Sequence, residues 1–331
     1  MDKSCSLILS AARLLSEKEG ALMKGNSLII LHQIIIMFLL MGAGSVLYRL
    51  GIIDDNGSAQ CSGILTKLVS PCVIINSFQR AFEPELGRTL VWQFLFSLLG
   101  FGIMIVLSGL VFREKRFANA PDLRMCTVFT NNGFMAIPLV SAMFGSMGVF
   151  LSTVNIAAST ILVWTWGVCN LSGGKGKISL SKIFVNPGTI GFCIGLFCFL
   201  TPFKLPSIPA EAVSFVADLN TPLAMIVLGC FLAQSGIKAC LMDKQLYFLS
   251  LTRLVLFPLV LVPVMLSAPV DLTAKVCLMI GFAAPAAVLA AMFAQMHHTD
   301  YLYATKIVAH STLLSAVTMP LVIALFTVLA A

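Results

Sequence analysis

The sequence predicts an all-α, polytopic membrane protein with ten transmembrane helices in two inverted five-helix repeats. Of the 331 residues, 59% are hydrophobic and 11% are charged, and the mean hydropathy is +0.98. A soluble domain has about 45–50% apolar and about 25% charged residues. The chain also contains ten apolar stretches of about 20 residues, the length that crosses a bilayer core. Finally, a pair of prolines recurs in each half of the chain.

The same composition excludes several classes of protein. With 21 Lys and Arg and 14 Asp and Glu, the chain cannot build the water-exposed surface of a cytosolic enzyme or a nucleic-acid binder. It contains no HExxH or GxSxG motif, and SGGKGK lacks the spacing of a phosphate-binding loop. The ten cysteines form no CxxC pair and are expected to be small apolar helix residues. We therefore predict no enzymatic activity, no cofactor, no metal and no nucleic-acid partner.

The chain divides into an extension and ten spans. Residues 1–27 lack a signal-peptide core, so we expect an interfacial helix or a disordered extension. The spans are separated by short segments rich in turn residues, such as DDNGS and MHHTD. The predicted spans are Leu28–Arg49, Cys61–Phe82, Leu90–Phe112, Leu123–Phe144, Gly148–Leu171, Ile183–Phe203, Ala210–Gln234, Tyr247–Ala268, Leu272–Gln295 and Tyr301–Leu329.

The recurring prolines indicate an internal repeat. Pro71 and Pro138 lie in the second and fourth spans, and Pro222 and Pro285 follow in the seventh and ninth, 151 and 147 positions later. Because five spans are an odd number, the second copy must enter the membrane from the other face, as in many secondary transporters. We therefore predict a first repeat over 28–171, a cytoplasmic linker over 172–182 and a second repeat over 183–331.

Basic residues predict the orientation in the cell membrane. Thirteen Lys and Arg, including Arg253, are assigned to the side that the chain reaches after the first span. The opposite side, without the extension, has four. Because basic loops stay in the cytoplasm, both termini are expected on the non-cytoplasmic side of the multi-pass protein.

The fourth and ninth spans carry the candidate site. Asn131, Asn132 and Gly133 precede Pro138, which removes a backbone N–H, so we expect the helix to break between Asn131 and Pro138. A matching break is expected at Gly281–Pro285. If the two breaks meet at half depth, their half-helix N-termini and the asparagine amides suit a carboxylate. The alternative is that both prolines only kink packed helices. The predicted substrate-binding residues are Asn131, Asn132, Gly133, Pro138, Pro285 and Ala286.

Three other polar residues are candidates for coupling or gating. Asp218 is an ionisable group within a span, which is costly and usually faces a cavity or a partner. It either takes up a proton or ion, or caps the half-helix that begins near Thr221. Gln295 is predicted to point toward the inner mouth, as a gate or as an interfacial residue, and Asn76 to reach the cavity from the second span.

Two glycines in the sixth span, Gly191 and Gly195, have the small-xxx-small spacing that permits close helix approach. This pair marks either a homodimer face or a packing face within one chain.

Several motifs in the expected order resemble the auxin efflux carrier/malate permease family. TNNGFMAIPLV resembles the family's fourth-span signature, and APAAVLAAMFAQ, followed by ATKIVAHSTLL, resembles its last two spans. VNPGTIGFCIGL and DLNTPLAMIVLGCFLAQ are similar to its sixth and seventh spans. The resemblance covers about residues 28–330 and leaves out the extension.

The resemblance implies a fold in which broken helices 4 and 9 cross. Helices 1, 2, 6 and 7 would form a scaffold, and helices 3–5 and 8–10 a moving transport domain. It also implies transport of small organic anions, with Asn131, Pro138 and Pro285 lining the site. Ala136 replaces the glycine of the plant pattern and the central loop is short, so a microbial-type carrier is expected rather than an auxin carrier.

Together these observations predict a secondary transporter that exports small carboxylates, such as malate- or auxin-like acids, by alternating access. An inside-negative potential drives a monovalent anion outward by about 2.3 kcal/mol per 100 mV, so efflux needs no other energy source. The alternative is a sodium- or proton-coupled symporter on the plan of the bile-acid transporters. The expected partners are the organic-anion substrate and the lipid bilayer, and a homodimer is left open.

Overall fold

The computed structural model describes residues 29–173, 185–236, 241–297 and 299–330. Apart from the turns and short connections between them, these residues form helices, which we number in chain order. The helices are α1 Ile29–Arg49, α2 Asp55–Ser77, α3 Pro84–Val111, α4 Ala120–Val128, α5 Asn132–Leu171, α6 Pro187–Leu200, α7 Ser207–Gln234, α8 Lys244–Leu266, α9 Leu272–Ala283, α10 Val288–Met296 and α11 Tyr301–Ala330. The predicted all-α class is therefore confirmed for the described residues. The extension 1–27 and most of the linker lie outside them.

Seven of the described helices are long and apolar enough to cross a membrane: α1, α2, α3, α5, α7, α8 and α11. α6 and α9 are apolar but shorter, with 14 and 12 residues. The predicted fourth span consists of α4 and the first part of α5, and the predicted ninth span consists of α9 and α10. The polytopic class is thus confirmed, whereas the count of ten spans and the inverted repeat remain predictions.

The chain reverses within α5 at Gly145. This residue has φ 59° and ψ −148°, a conformation that is open to glycine and strained for other residues. It separates a first limb, residues 132–144, from a second limb, residues 146–171. The two limbs occupy the predicted fourth and fifth spans, so the expected turn between them is present.

Side chains placed just before the helices explain where several of them begin. Asn186 accepts a hydrogen bond from the Gly188 N–H at 2.9 Å and starts α6, whose first residue is a proline. Asp243 accepts from the Gln245 N–H at 2.9 Å and starts α8. Such caps satisfy N–H groups that the first helical turn leaves free.

The sixth-span glycines pack within the chain. A Cβ at Gly191 would lie 2.7 Å from the Cα of Pro71, and one at Gly195 would lie 2.8 Å from the ring of Phe78. Both contacts are closer than real Cβ atoms allow, so only glycine lets α6 approach α2 this closely. The packing alternative is confirmed, and the alternative that this pair forms a homodimer face is wrong.

α9 lies at the centre of the second half of the molecule. Its residues 276–283 are all buried, and it packs against α3, α5, α8 and α11. In the other part of the molecule, α2 packs against α6 and α7. The breaks that end α4 and α9 lie between these neighbours, and this placement positions the candidate site.

Candidate substrate site at the helix crossover

The first break separates α4 from α5 at residues 129–131. Helix resumes at Asn132 as a wide π-turn and becomes α-helical at Ile137. The prediction of a break that extends to Pro138 is therefore wrong at its C-terminal end. Pro138 is the second residue of the α-helical part, because a proline is tolerated where the helix begins and the wide turn before it gives the ring room.

The second break separates α9 from α10 at residues 284–287. The predicted break at Gly281–Pro285 begins too early, because Gly281 is helical and buried. A Cβ at Gly281 would lie 3.4 Å from side-chain atoms of Asn132 and Asn155. The glycine therefore makes room for these amides rather than interrupting the helix.

The two breaks meet and pair as antiparallel extended segments; that helices 4 and 9 cross here at half depth of the membrane stays a prediction. The Asn131 N–H donates to the Pro285 carbonyl at 2.8 Å, and the Ala287 N–H donates to the Phe129 carbonyl at 3.0 Å. Peptide groups that we expected to be free for a substrate are thus bonded to one another. This pairing stabilises the breaks, because an unpaired peptide group within the membrane has a high free energy.

Asn131 is the residue of the first break that keeps an unused donor. Its side chain is 5% exposed. Its Oδ1 accepts from the Phe134 N–H at 3.3 Å and caps the start of α5, while its Nδ2 is buried without a hydrogen-bond partner. Since buried polar atoms are nearly always paired, this amide is a donor available to a ligand at the crossover.

Asn132 belongs to a buried network instead. The Thr130 hydroxyl donates to its Oδ1 at 2.5 Å, and its Nδ2 donates to Asn155 Oδ1 at 2.5 Å. Asn155 Nδ2 then donates to Ser97 Oγ at 3.3 Å. The network joins the break to the second limb of α5 and to α3. The sequence did not single out Asn155 or Ser97, because each is an isolated polar residue in an apolar helix.

Gly133 connects the break to α7. Its carbonyl accepts from Asn220 Nδ2 at 3.4 Å. In the π-turn, the N–H of residue i bonds to the carbonyl of residue i−5, as Ile137 does to Asn132. Pro138 cannot give the next such bond, and Asn220 supplies the missing donor. Asn220 was not singled out from the sequence, although it stands midway between Asp218 and Pro222.

A polar cavity of about 260 Å³ lies beside this contact, where α5 faces α2 and α7. Asp218 and Asn76, both predicted as coupling or gating residues, line it together with Asn220. The remaining lining residues are Val73, Ser77, Ile137, Ser141, Ser146, Val149, Ala217 and Thr221. Asp218 is exposed. The second part of α7 has Leu219 at its N-cap without a side-chain hydrogen bond, so the alternative that Asp218 caps it is wrong.

The other predicted site residues are divided between the crossover and the undescribed part of the chain. Pro285 and Ala286 lie in the second break, and the Ala286 N–H donates to Ser311 Oγ at 3.2 Å. Asn131, Pro285 and Ala286 therefore come together, and Gly133 lies next to the cavity through Asn220. The side chain of Gln295 lies outside the described residues.

The assignment of Arg253 to the basic inner loops is wrong. Arg253 lies within α8 with 0% of its surface exposed. Its Nη2 donates to the Ala284 carbonyl in the second break at 2.6 Å, and its Nε and Nη1 have no hydrogen-bond partner. An apolar run on both sides of Arg253, LSLTRLVLF, was the signal in the sequence.

These features define a class of protein: a polytopic membrane protein whose interrupted helices cross and pair beside a polar cavity, the arrangement used by many secondary transporters. The chain belongs to the membrane transport protein family, whose model matches residues 29–181 and 175–323. This is the family of auxin efflux carrier-like proteins, so the resemblance found in the motifs is confirmed. The chain is also similar to an uncharacterized transporter of Methanothermobacter thermautotrophicus. The two are 22% identical over 287 residues, which make up 84% of this chain and 92% of the relative.

Proposed function

We propose that this protein is a secondary transporter of small organic anions that binds its substrate at the crossover. The observation that carries the proposal is the buried Asn131 amide, whose Nδ2 has no partner although the backbone around it is paired. An amide N–H donates to a carboxylate and cannot bind a metal cation. The neighbouring polar cavity, linked to the crossover through Asn220 and Gly133, supports a substrate path.

Alternating access follows from how the helices group. α1, α2, α6 and α7 form the scaffold in this proposal, and α3–α5 and α8–α11 form the moving domain. The cavity lies between the two groups, where a sliding contact opens and closes a path. Both termini lie on the non-cytoplasmic side, and the membrane potential drives export of an anion by about 2.3 kcal/mol per 100 mV. The short central loop and Ala136 favour a small carboxylate over auxin.

Replacing Asn131 tests the proposal. In proteoliposomes loaded with labelled acetate, malonate or succinate, we expect the wild type to exchange at least one of them. Asn131→Ala should lower the affinity roughly tenfold or more, because a hydrogen bond to a charged group contributes about 1.5–3 kcal/mol. Asn119→Ala, which changes an asparagine at the start of α4, is the matched control. Equal exchange by wild type and Asn131→Ala would remove Asn131 from the site.

Coupling to a proton or sodium ion is the second candidate, and the position of Asp218 in the cavity favours it. A carboxylate there can take up a proton or contribute an oxygen ligand to sodium during transport. We expect Asp218→Asn to exchange anions at equal pH but to lose acceleration by an imposed pH gradient. Glu211→Gln, on the same helix and outside the cavity lining, should behave as the wild type. Uptake that follows a sodium gradient would favour the symporter plan.

A further inference from the structure

Arg253 lies deep within the predicted membrane region. It is nine residues beyond Lys244, the first residue of α8, which corresponds to about 14 Å along the helix. A hydrocarbon core is about 30 Å thick, so the guanidinium lies near half depth, at the level of the crossover that it contacts. A cation at this depth is costly and in membrane proteins usually faces a partner, a cavity or a substrate path.

The second break uses only part of the guanidinium. The Ala284 carbonyl that accepts from Nη2 follows directly on the end of α9, where the helix dipole is negative. Nε and Nη1 carry three of the five N–H donors of the group, and both atoms are buried without a partner. Among the described residues, Arg253 forms no ion pair with an acidic side chain. Capping the end of α9 therefore explains the position of Nη2 but leaves the positive charge of Arg253 without an anionic partner in the described part of the chain.

Arg253 and Asn131 reach adjacent residues of the same break. Arg253 donates to the Ala284 carbonyl, and the Asn131 N–H donates to the Pro285 carbonyl. Both side chains keep unused donors, and both are at least nine-tenths buried. A neutral amide from α4–α5 and a positive charge from α8 therefore belong to residues that bond to the same break.

We propose that Arg253 is the charged group of the substrate site, which selects the ionised carboxylate over neutral compounds of the same shape. The inference rests on the proposed function, because it assigns the positive charge of that organic-anion site. A bound carboxylate forms charge-assisted hydrogen bonds with the unused donors. It also balances a charge that the described part of the chain leaves unpaired.

This proposal and a purely structural role predict opposite effects on the protein without ligand. If Arg253 is the charged group of the site, then Arg253→Gln and Arg253→Met remove an unpaired buried charge together with the hydrogen bond to the Ala284 carbonyl. Because the unpaired charge is the larger cost, the thermal midpoint stays equal or rises. If Arg253 only holds the end of α9, the same variants lose a needed hydrogen bond and the midpoint falls.

The experiment measures thermal unfolding of purified protein in detergent with acetate, malonate and succinate, each compared with its amide: acetamide, malonamide and succinamide. We expect at least one carboxylate, and none of the amides, to stabilise the wild type. In Arg253→Gln and Arg253→Met, the affinity for that carboxylate should fall roughly 10- to 100-fold, the factor expected from one charge-assisted hydrogen bond. Arg253→Lys, which keeps the charge, should retain part of the affinity. Arg124→Gln, which removes the ion pair of the half-buried Arg124 with Glu114 and its hydrogen bond to the Phe112 carbonyl, is the control and should bind as the wild type.

Three results would overturn the proposal. In the first, Arg253→Gln and Arg253→Met unfold at a lower temperature or do not fold, and Arg253→Lys is stable but does not discriminate carboxylate from amide. Arg253 would then be only a helix cap. Variants that bind the carboxylate as well as the wild type would remove Arg253 from the site and leave the proposed function intact. A wild type that binds none of the three carboxylates would instead overturn the organic-anion function, and this inference with it.

Discussion

The two breaks that pair at the crossover are built in opposite ways. The break between α4 and α5 brings its own polar side chains, Thr130 and Asn131, and is followed directly by Asn132. These side chains cap the next helix and anchor the segment to α3 and α5. The break between α9 and α10 reads APAA and has no polar side chain. Its peptide groups are bonded by the first break and by side chains from α8 and α11, Arg253 and Ser311.

This difference separates what each break can do. The first is held in place by its own sequence and keeps one amide, Asn131 Nδ2, for a ligand. The second is held by hydrogen bonds with side chains of α8 and α11. The first break is held by its own side chains and the second by those of neighbouring helices. In such a site, ligand binding depends on how α8, α9 and α11 pack. Substitutions in the two halves of the crossover should therefore differ in effect.

The largest effect on stability is expected at Asn132. Asn132→Ala leaves both the Thr130 hydroxyl and Asn155 Oδ1 without their partner in a buried site. We expect a loss of about 1–3 kcal/mol in the free energy of unfolding, measured by titration with SDS. In a double-mutant cycle, Asn132→Ala should couple to Asn155→Ala and show little coupling to Asn76→Ala in the cavity wall. Additive effects at 132 and 155 would mean that the first break is not anchored by this network.

A smaller effect on stability is expected at the hydrogen bond that the second break forms with α11. Ser311→Ala removes the acceptor of the Ala286 N–H, and we expect a loss of about 1 kcal/mol. Ser315→Ala is the matched control, because Ser315 is equally buried on α11 but, among the described residues, its hydroxyl bonds to the Thr312 carbonyl of its own helix and not to a break. Equal losses for the two variants would show that α11 does not support the break.

The first break could be predicted from the sequence, and the second only in part. Asn-Asn-Gly within an apolar span is a local signal for an interruption of the helix. Asn131 lies in the first break, as this signal predicts. The prediction that the break extends to Pro138 is wrong, because helix resumes before it as a π-turn that accommodates the proline ring. Pro285 marked the second break, but its start depends on packing around Gly281 that no local pattern shows.

The charge at the crossover was missed for a different reason. Basic residues near span ends generally mark the cytoplasmic side, so the sequence pattern assigns Arg253 to a loop. Its burial depends on contacts with the end of α9, 31 residues later. With Arg253 removed from the thirteen, the basic bias still favours the predicted orientation. The same reason applies to three isolated polar residues in helices, Asn155, Ser97 and Asn220. Their roles depend on hydrogen-bond partners that are distant in the sequence, so no local pattern predicts them.

The smallest effect is expected at the contact between α7 and the first break. Asn220→Ala removes the donor to the Gly133 carbonyl, and because this bond is long, at 3.4 Å, we expect a loss of about 0.5 kcal/mol. The physical reason for the bond is that Pro138 cannot donate to that carbonyl. Pro138→Ala restores an N–H at this position, so Asn220→Ala should cost nothing in the Pro138→Ala background. The double-mutant cycle, measured by SDS titration, checks this. If Asn220→Ala costs the same with proline or alanine at 138, the asparagine does not replace the missing helix donor, and the link between the cavity and the crossover would have to run through another residue.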